Sequence, residues 1–169
     1  KESEKLIDKV IVNKKFDVIN SSFAIHYLFK NENTLKYLLE NIKNHLKKAG
    51  YLLLTLFDSD RVMNMLGDAT SVASYYTDDE GRKNKFFEIV KKFEGKPKNA
   101  PGNSIDVHMS WVSADENTYL EEYLVPKDLM ISSMKKIGLK LVETDLFENL
   151  YTINKEYFGT VIEHEENPG

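Results

Sequence analysis

Between Phe16 and Phe57 the chain passes from an apolar run through an amphipathic stripe to a second apolar run, and no other feature restricts its fold as tightly. Residues 16–22 have the near-continuous apolar character of a strand buried on both faces. Asn31 or Asn33 then offers a cap for a helix whose Leu35, Leu38, Leu39, Ile42 and Leu46 fall on one stripe, and Gly50 is placed to stop it. The run Tyr-Leu-Leu-Leu-Thr-Leu-Phe at 51–57 reads as a second buried strand. Strand, helix and strand at this spacing form a βαβ unit, for which a right-handed crossover and a parallel pairing are the rule.

The remainder is punctuated by caps and turns. Asp8 to Val12 is a short mixed stretch, and Asp58-Ser59-Asp60 caps a short helix carrying Val62, Met63 and Leu66 up to Gly67. Residues 68–85 are polar and read as loop. Residues 86–93 and 104–112 read as an antiparallel strand pair, the second alternating strictly at Ile105, Val107, Met109 and Trp111, with a Gly/Pro/Asn-rich turn over 94–103. Pro126 suits the first position of a helix running to Ile137, Gly138 ends it, and residues 139–144 read as a strand returning to the sheet. A last helix is expected over 147–157, followed by a polar tail.

The expected architecture is therefore α/β: residues 1–66 a parallel βαβ part, 86–125 an inserted strand pair, 126–145 a helix and strand, 146–169 a helix and tail, all segments of one domain. An open sheet of this kind ordinarily carries a Gly-rich loop after its first strand, and these 169 residues hold none. A first half with the cofactor loop is accordingly expected upstream of Lys1.

Composition removes several function classes. With no cysteine, thiolate nucleophiles, thiolate metal sites and disulfides are excluded, and an intracellular setting is the natural expectation. A formal net charge of -4 leaves no global positive field for nucleic acid, so any such contact must be local. The longest apolar run, 51–57, falls far short of the roughly 20 residues that span a bilayer, so no membrane association is expected. The pairs Asp58/Asp60 and Asp78/Asp79 do not converge at any helical or strand spacing, so capping and solvation are expected rather than a cation site. No metal ligand set is expected elsewhere. His45 and His108 are assigned to an exposed helix face and a polar strand face, and His164 to the polar tail.

The segment 16–29 ends in a His-Tyr pair among aromatics, at the end of a strand where open α/β sheets bind their ligands. Phe16-Asp17-Val18 with Phe23-Ala24-Ile25-His26-Tyr27 and Phe29 resembles the strand-end motif of the mRNA cap guanine-N7 methyltransferases, class I S-adenosylmethionine-dependent enzymes. The similarity is to the form fused in capping enzymes of poxviruses and other large DNA viruses. Ala49-Gly50-Tyr51-Leu52 with Thr55 resembles that family's helix-to-strand turn, Glu122-Tyr123-Leu124-Val125 its glutamate motif, and residues 137–142 the junction that follows. The ordered set spans residues 4 to about 147, and implies the central to C-terminal part of a Rossmann-like sheet.

The resemblance implies cap-binding roles for Glu122, His26, Phe23 and Phe57, and cofactor contacts for Ser22 and Tyr27. A carboxylate can accept the N1-H and N2-H of guanine as a bidentate pair, the role implied for Glu122, while His26 reads O6. Aromatic faces favour the cationic methylated base. No catalytic acid or base is implied, because N7 has a free lone pair and needs only alignment with the methyl group. Ser22 stands where the family usually has glutamine, and Phe57 where cellular members have proline. The implied partners are a capped RNA end and either a stimulatory subunit or fused guanylyltransferase and triphosphatase domains. The implied place of action is the virion or host cytoplasm for a viral protein and the nucleus for a cellular one.

Other readings of the same residues stay open at this level. His26 can be a structural histidine with its bonds satisfied, Glu122 a solvated charge beside Glu121, and Phe23 and Phe57 core residues. A non-catalytic stimulatory subunit, or a methyltransferase acting on a small molecule, would use the same fold.

Overall fold

A computed structural model describes residues 14–113, 115 and 117–166, with side chains as far as 157. The stretch Asp8 to Val12 lies outside the described residues. The chain divides into two compact units, residues 1–139 and 140–169.

In the first unit, strand β1 (Phe16–Ser22) pairs in parallel with β2 (Leu46–Thr55), and the connection carries a 3-10 turn (Ile25–Phe29) and helix α1 (Glu32–His45). This is the expected βαβ unit. Of the two candidate caps Asn31 is the one used: its side-chain oxygen accepts from the Thr34 amide at 3.0 Å while Thr34 Oγ1 accepts from the Asn31 amide at 3.1 Å. Leu35, Leu38 and Ile42 bury the helix stripe together with Ile25, Phe29 and Leu46.

Gly50 does not end the helix. The helix ends at His45 and β2 begins at once, with a bulge between the pairs Phe16–Leu46 and Val18–Tyr51. Nor are the two strands buried on both faces. Ile19, Leu52 and Leu54 pack against the core, while Phe16, Val18, Tyr51 and Leu53 are exposed. Two strands with helices on one side cover one sheet face only.

The antiparallel pair expected over 86–112 is present as β4 (Lys83–Lys91) and β5 (Ser104–Met109), but it is the centre of a four-stranded sheet of order β3-β4-β5-β6. Strand β3 (Ser71–Thr77) occupies residues expected to be loop, and β6 (Leu120–Tyr123) carries the glutamate motif. The Ser71-Val-Ala-Ser-Tyr-Tyr-Thr run lacks clean apolar alternation, and its β-branched and aromatic content is stabilised by the ladder to β4 rather than by a face of its own. Helix α2 (Ser59–Leu66), capped by Asp58 through the Arg61 amide at 2.9 Å, lays Val62 and Leu66 against Ile89, Ile105, Val107 and Leu124.

Helix α3 (Lys127–Lys136) follows Pro126 and returns Leu129 and Met134 to the cluster around Phe29, which Tyr123 and Val125 complete. The strand expected over 139–144 is a correction: the described residues there form no ladder, and Val142 is 77% exposed. An apolar run becomes a strand only where a neighbour offers hydrogen bonds, and among the described residues no ladder partner is recorded for this segment. In the second unit, helix α4 (Phe147–Glu166) opens after Asp145, whose carboxylate accepts from the Leu146 amide at 2.8 Å.

Candidate functional site

Strand β1 ends at Ser22, and Phe23 turns the chain with a left-handed φ of 50°, a conformation non-glycine residues adopt at a cost. The Phe23 amide donates to Thr55 O at 2.8 Å, which fixes this turn to the end of β2. The 3-10 turn that follows points Ile25, His26 and Phe29 inward and leaves Tyr27 at the surface.

Glu122 reaches the same place from the other sheet. It sits opposite Ile105 in the β5–β6 ladder, so it shares the apolar face of the sheet, whereas Glu121 points the opposite way. Glu121 accepts from Tyr123 Oη at 2.7 Å and Ser104 Oγ at 2.9 Å and lies 3.7 Å from Lys30 Nζ. The Tyr123 hydrogen bond and then that of Ser104 hold its carboxyl below the usual carboxylate range. Glu122 has no such surroundings. It is 3% exposed and His26 is 2% exposed.

The two meet with His26 Nε2 at 3.2 Å from Glu122 Oε2. That distance is one of contact, but the groups are not aligned as donor and acceptor, so both ring nitrogens of His26 and Oε2 of Glu122 are buried without a hydrogen bond. The other carboxylate oxygen accepts from Tyr27 Oη at 3.1 Å. Burial, followed by the Glu122 charge and this hydrogen bond, pushes the Tyr27 hydroxyl above its usual pKa. The imidazole lies 4.4 Å from the Tyr27 ring and 6.1 Å from Phe57, and Phe57 lies 6.2 Å from Phe23, centroid to centroid.

The sequence-derived residues thus divide as follows. His26, Tyr27, Glu122 and Phe57 come together, with Phe23 at the rim, half-exposed. Glu122 is buried, which removes the reading as a solvated charge. His26 is buried with Glu122 Oε2 as its neighbour at 3.2 Å, and neither ring nitrogen makes an aligned hydrogen bond. Phe57 packs partly against the core cluster of the antiparallel sheet. Ser22 is exposed beside Thr55, and its Oγ accepts from Asn20 Nδ2 at 3.3 Å and Thr55 Oγ1 at 3.4 Å. That polar shelf sits at the carboxyl ends of two parallel strands, where open α/β sheets bind their ligands.

What sequence reasoning missed is the bond between Tyr27 and Glu122, which joins the residue assigned to the cofactor side to the carboxylate assigned to the base. It also placed His108 on a polar strand face; the side chain is buried, with Nδ1 at 3.1 Å from Thr118 O, beneath a network of Lys85, Glu88 and Tyr119. The signal was present in the ladder, where Glu88 and His108 are directly opposite. Among the described residues, no group of three or more His, Asp or Glu side chains is placed to hold a metal ion. No helix among the described residues is long and apolar enough to cross a membrane.

Comparison with known proteins decides the family. The sequence model of the mRNA (guanine-N(7))-methyltransferase domain matches residues 2–164. This chain belongs to that family. It is 42% identical over 157 residues to the probable mRNA-capping enzyme of Acanthamoeba polyphaga mimivirus, covering 92% of this chain and 13% of that protein. It is 23% identical over 153 residues to the mRNA cap guanine-N(7) methyltransferase of Schizosaccharomyces pombe, covering 89% of this chain and 40% of that one. This family member therefore spans well under half the length of either relative. A solved S-adenosylmethionine-dependent methyltransferase from Clostridium acetobutylicum overlays with a TM-score of 0.48 at 20% identity, over 81% of this chain and 52% of that structure.

Proposed function

We propose that this chain supplies the guanine grip, and one wall of the cofactor site, of an mRNA cap guanine-N7 methyltransferase. The observation that carries the reading is the buried Glu122, whose Oε2 has no hydrogen bond and faces His26. A desolvated acceptor without a donor costs about 1–3 kcal/mol or more for a charged group, so such a group persists where a ligand supplies the donors. The N1-H and N2-H of guanine are two parallel donors at the spacing of the two carboxylate oxygens.

In this reading the guanine edge meets Glu122, His26 Nε2 or Nδ1 meets O6, and Phe23 and Phe57 line the approach. S-adenosylmethionine supplies an electrophilic methyl group. Held beside Ser22, it would offer that methyl to the free lone pair of N7, with no proton to be moved. The residues of this chain act by holding N7 in line, so catalysis is proximity and orientation. The base gains positive charge along the reaction, and the Glu122 carboxylate with the aromatic faces favours that charge over the neutral substrate. Ser22 lies on the cofactor side of the same strand end. The RNA partner is a capped 5′ end, and the protein that carries this segment works with further capping domains or a stimulatory subunit.

The experiment is cap methylation by the full protein carrying Glu122→Ala. Transfer to a GpppA-ended RNA should fall by at least about a hundredfold, the loss of two charge-assisted hydrogen bonds, with S-adenosylmethionine affinity within about twofold. Undiminished transfer refutes the assignment.

A further inference from the structure

We infer that Tyr27 is a positioning residue for guanine recognition, setting the orientation of Glu122 through its hydroxyl; this rests on the cap-guanine reading of the site. The family resemblance assigns the tyrosine to the cofactor. The geometry assigns its hydroxyl to the base-binding carboxylate instead, because Tyr27 Oη donates to Glu122 Oε1 at 3.1 Å.

The strength of the inference lies in what else holds Glu122. A carboxylate offers roughly four lone-pair directions over its two oxygens. Among the described residues, Oε1 accepts from Tyr27 and Oε2 accepts from nothing, with His26 Nε2 at 3.2 Å but misaligned. Tyr27 is therefore the one hydrogen-bond donor that fixes how the Glu122 carboxylate is turned. One hydrogen bond to Oε1 leaves a second lone pair there and both on Oε2, which is what two guanine donors require. Tyr27 need not leave when the base enters.

Tyr27 is suited to the task because its ring is itself held. It stacks at a tilt on His26 with centroids 4.4 Å apart, and its own residue is 40% exposed, so the side chain reaches from the surface to the buried carboxylate. Deleting the hydroxyl keeps that packing and removes only the tether. Without it Glu122 has no hydrogen-bond donor among the described residues, and the carboxylate turns freely or recruits water, so the bidentate geometry is no longer preorganised.

The discriminating readout is the base's 2-amino group. Inosine lacks it, so a guanosine cap should outcompete an inosine cap in the native protein by the worth of one charge-assisted hydrogen bond, about tenfold or more. In the full protein carrying Tyr27→Phe, KM for GpppA should rise about tenfold while kcat at saturating cap changes by less than about threefold, and the preference for GpppA over IpppA should shrink several-fold. S-adenosylmethionine affinity should stay within about twofold. A Tyr27→Phe protein that keeps the full guanosine preference, or that loses cofactor affinity instead of cap affinity, overturns the inference. Glu122→Gln run beside it separates the levels: if Glu122→Gln abolishes the guanosine preference and Tyr27→Phe does not, the positioning role fails alone, and if neither changes it, the cap reading fails with it.

Discussion

Gly50 of β2 lies so close to Asp17 of β1 that a Cβ added there would come within 2.7 Å of the Asp17 carbonyl oxygen. Leu46 Cδ1 at 2.9 Å and Lys47 O at 3.1 Å close the other sides, so little can give way. The contact sits at the bulge where the parallel register jumps, with Ala49 beside it at φ 64°. Gly50→Ala should destabilise the chain by about 1–3 kcal/mol, the usual cost of overpacking, as read by urea unfolding. An unchanged midpoint would show that the strands part freely here.

Phe29 is fully buried between the 3-10 turn, α1 and the cluster that Tyr123, Val125 and Leu129 complete. It also carries the joint between the two sheets, because its carbonyl accepts from the Gly102 amide at 2.9 Å. Phe29→Ala should cost about 3–5 kcal/mol, and Phe29→Leu markedly less. Equal losses for both would mean that the cavity is not what destabilises.

Asn103 closes the turn between β4 and β5 from inside. Its amide nitrogen donates to Lys98 O and Ala100 O at 2.9 Å each, and its oxygen accepts from the Lys98 amide at 2.8 Å. Asn103→Ala removes all three bonds to the turn backbone, so about 1–3 kcal/mol should be lost and hydrogen exchange at Lys98 should quicken. Undisturbed protection at Lys98 would contradict this.

The Lys85–Glu88–Tyr119 network sets a pH dependence. Lys85 Nζ lies 2.7 Å from Glu88 Oε2, and the hydrogen bonds from Lys85 and then Tyr119 hold the Glu88 carboxyl below the usual range. A folded value below the unfolded one, about 4.3, gives stability that is present above that pH and lost as pH falls toward the folded value. The gap in melting temperature between the native chain and Glu88→Gln should therefore be widest above pH 5 and shrink steadily as pH falls below the unfolded value of about 4.3. A gap independent of pH would remove the ion pair as its cause.

The βαβ unit was legible because its signals are local: the Asn31 cap, the leucine stripe of α1 and the two apolar runs. The same holds for β4, β5 and the turn that Asn103 closes. What was not legible depends on neighbours. Strand β3 has weak alternation and exists through its ladder with β4, while residues 139–144 have apolar content but join no ladder among the described residues. At the site, motif order brought out His26 and Glu122, but their burial follows from which face of β6 meets the 3-10 turn, and that is a register fact no single segment holds. The same register turned Glu121 outward to Lys30, although the two glutamates are neighbours in sequence. Tyr27 shows the limit most clearly, because a strand-end tyrosine can face either ligand and only the packing of β6 sends its hydroxyl to Glu122.

The central claim is that Glu122 accepts the guanine edge of an RNA cap, and calorimetric titration of the full protein with GpppA in the presence of S-adenosylhomocysteine tests it most directly. Glu122→Gln keeps the shape but turns one acceptor into a donor facing a guanine donor, so GpppA affinity should fall at least about a hundredfold while S-adenosylhomocysteine affinity holds. A Glu122→Gln protein that binds GpppA as tightly as the native one would contradict the account.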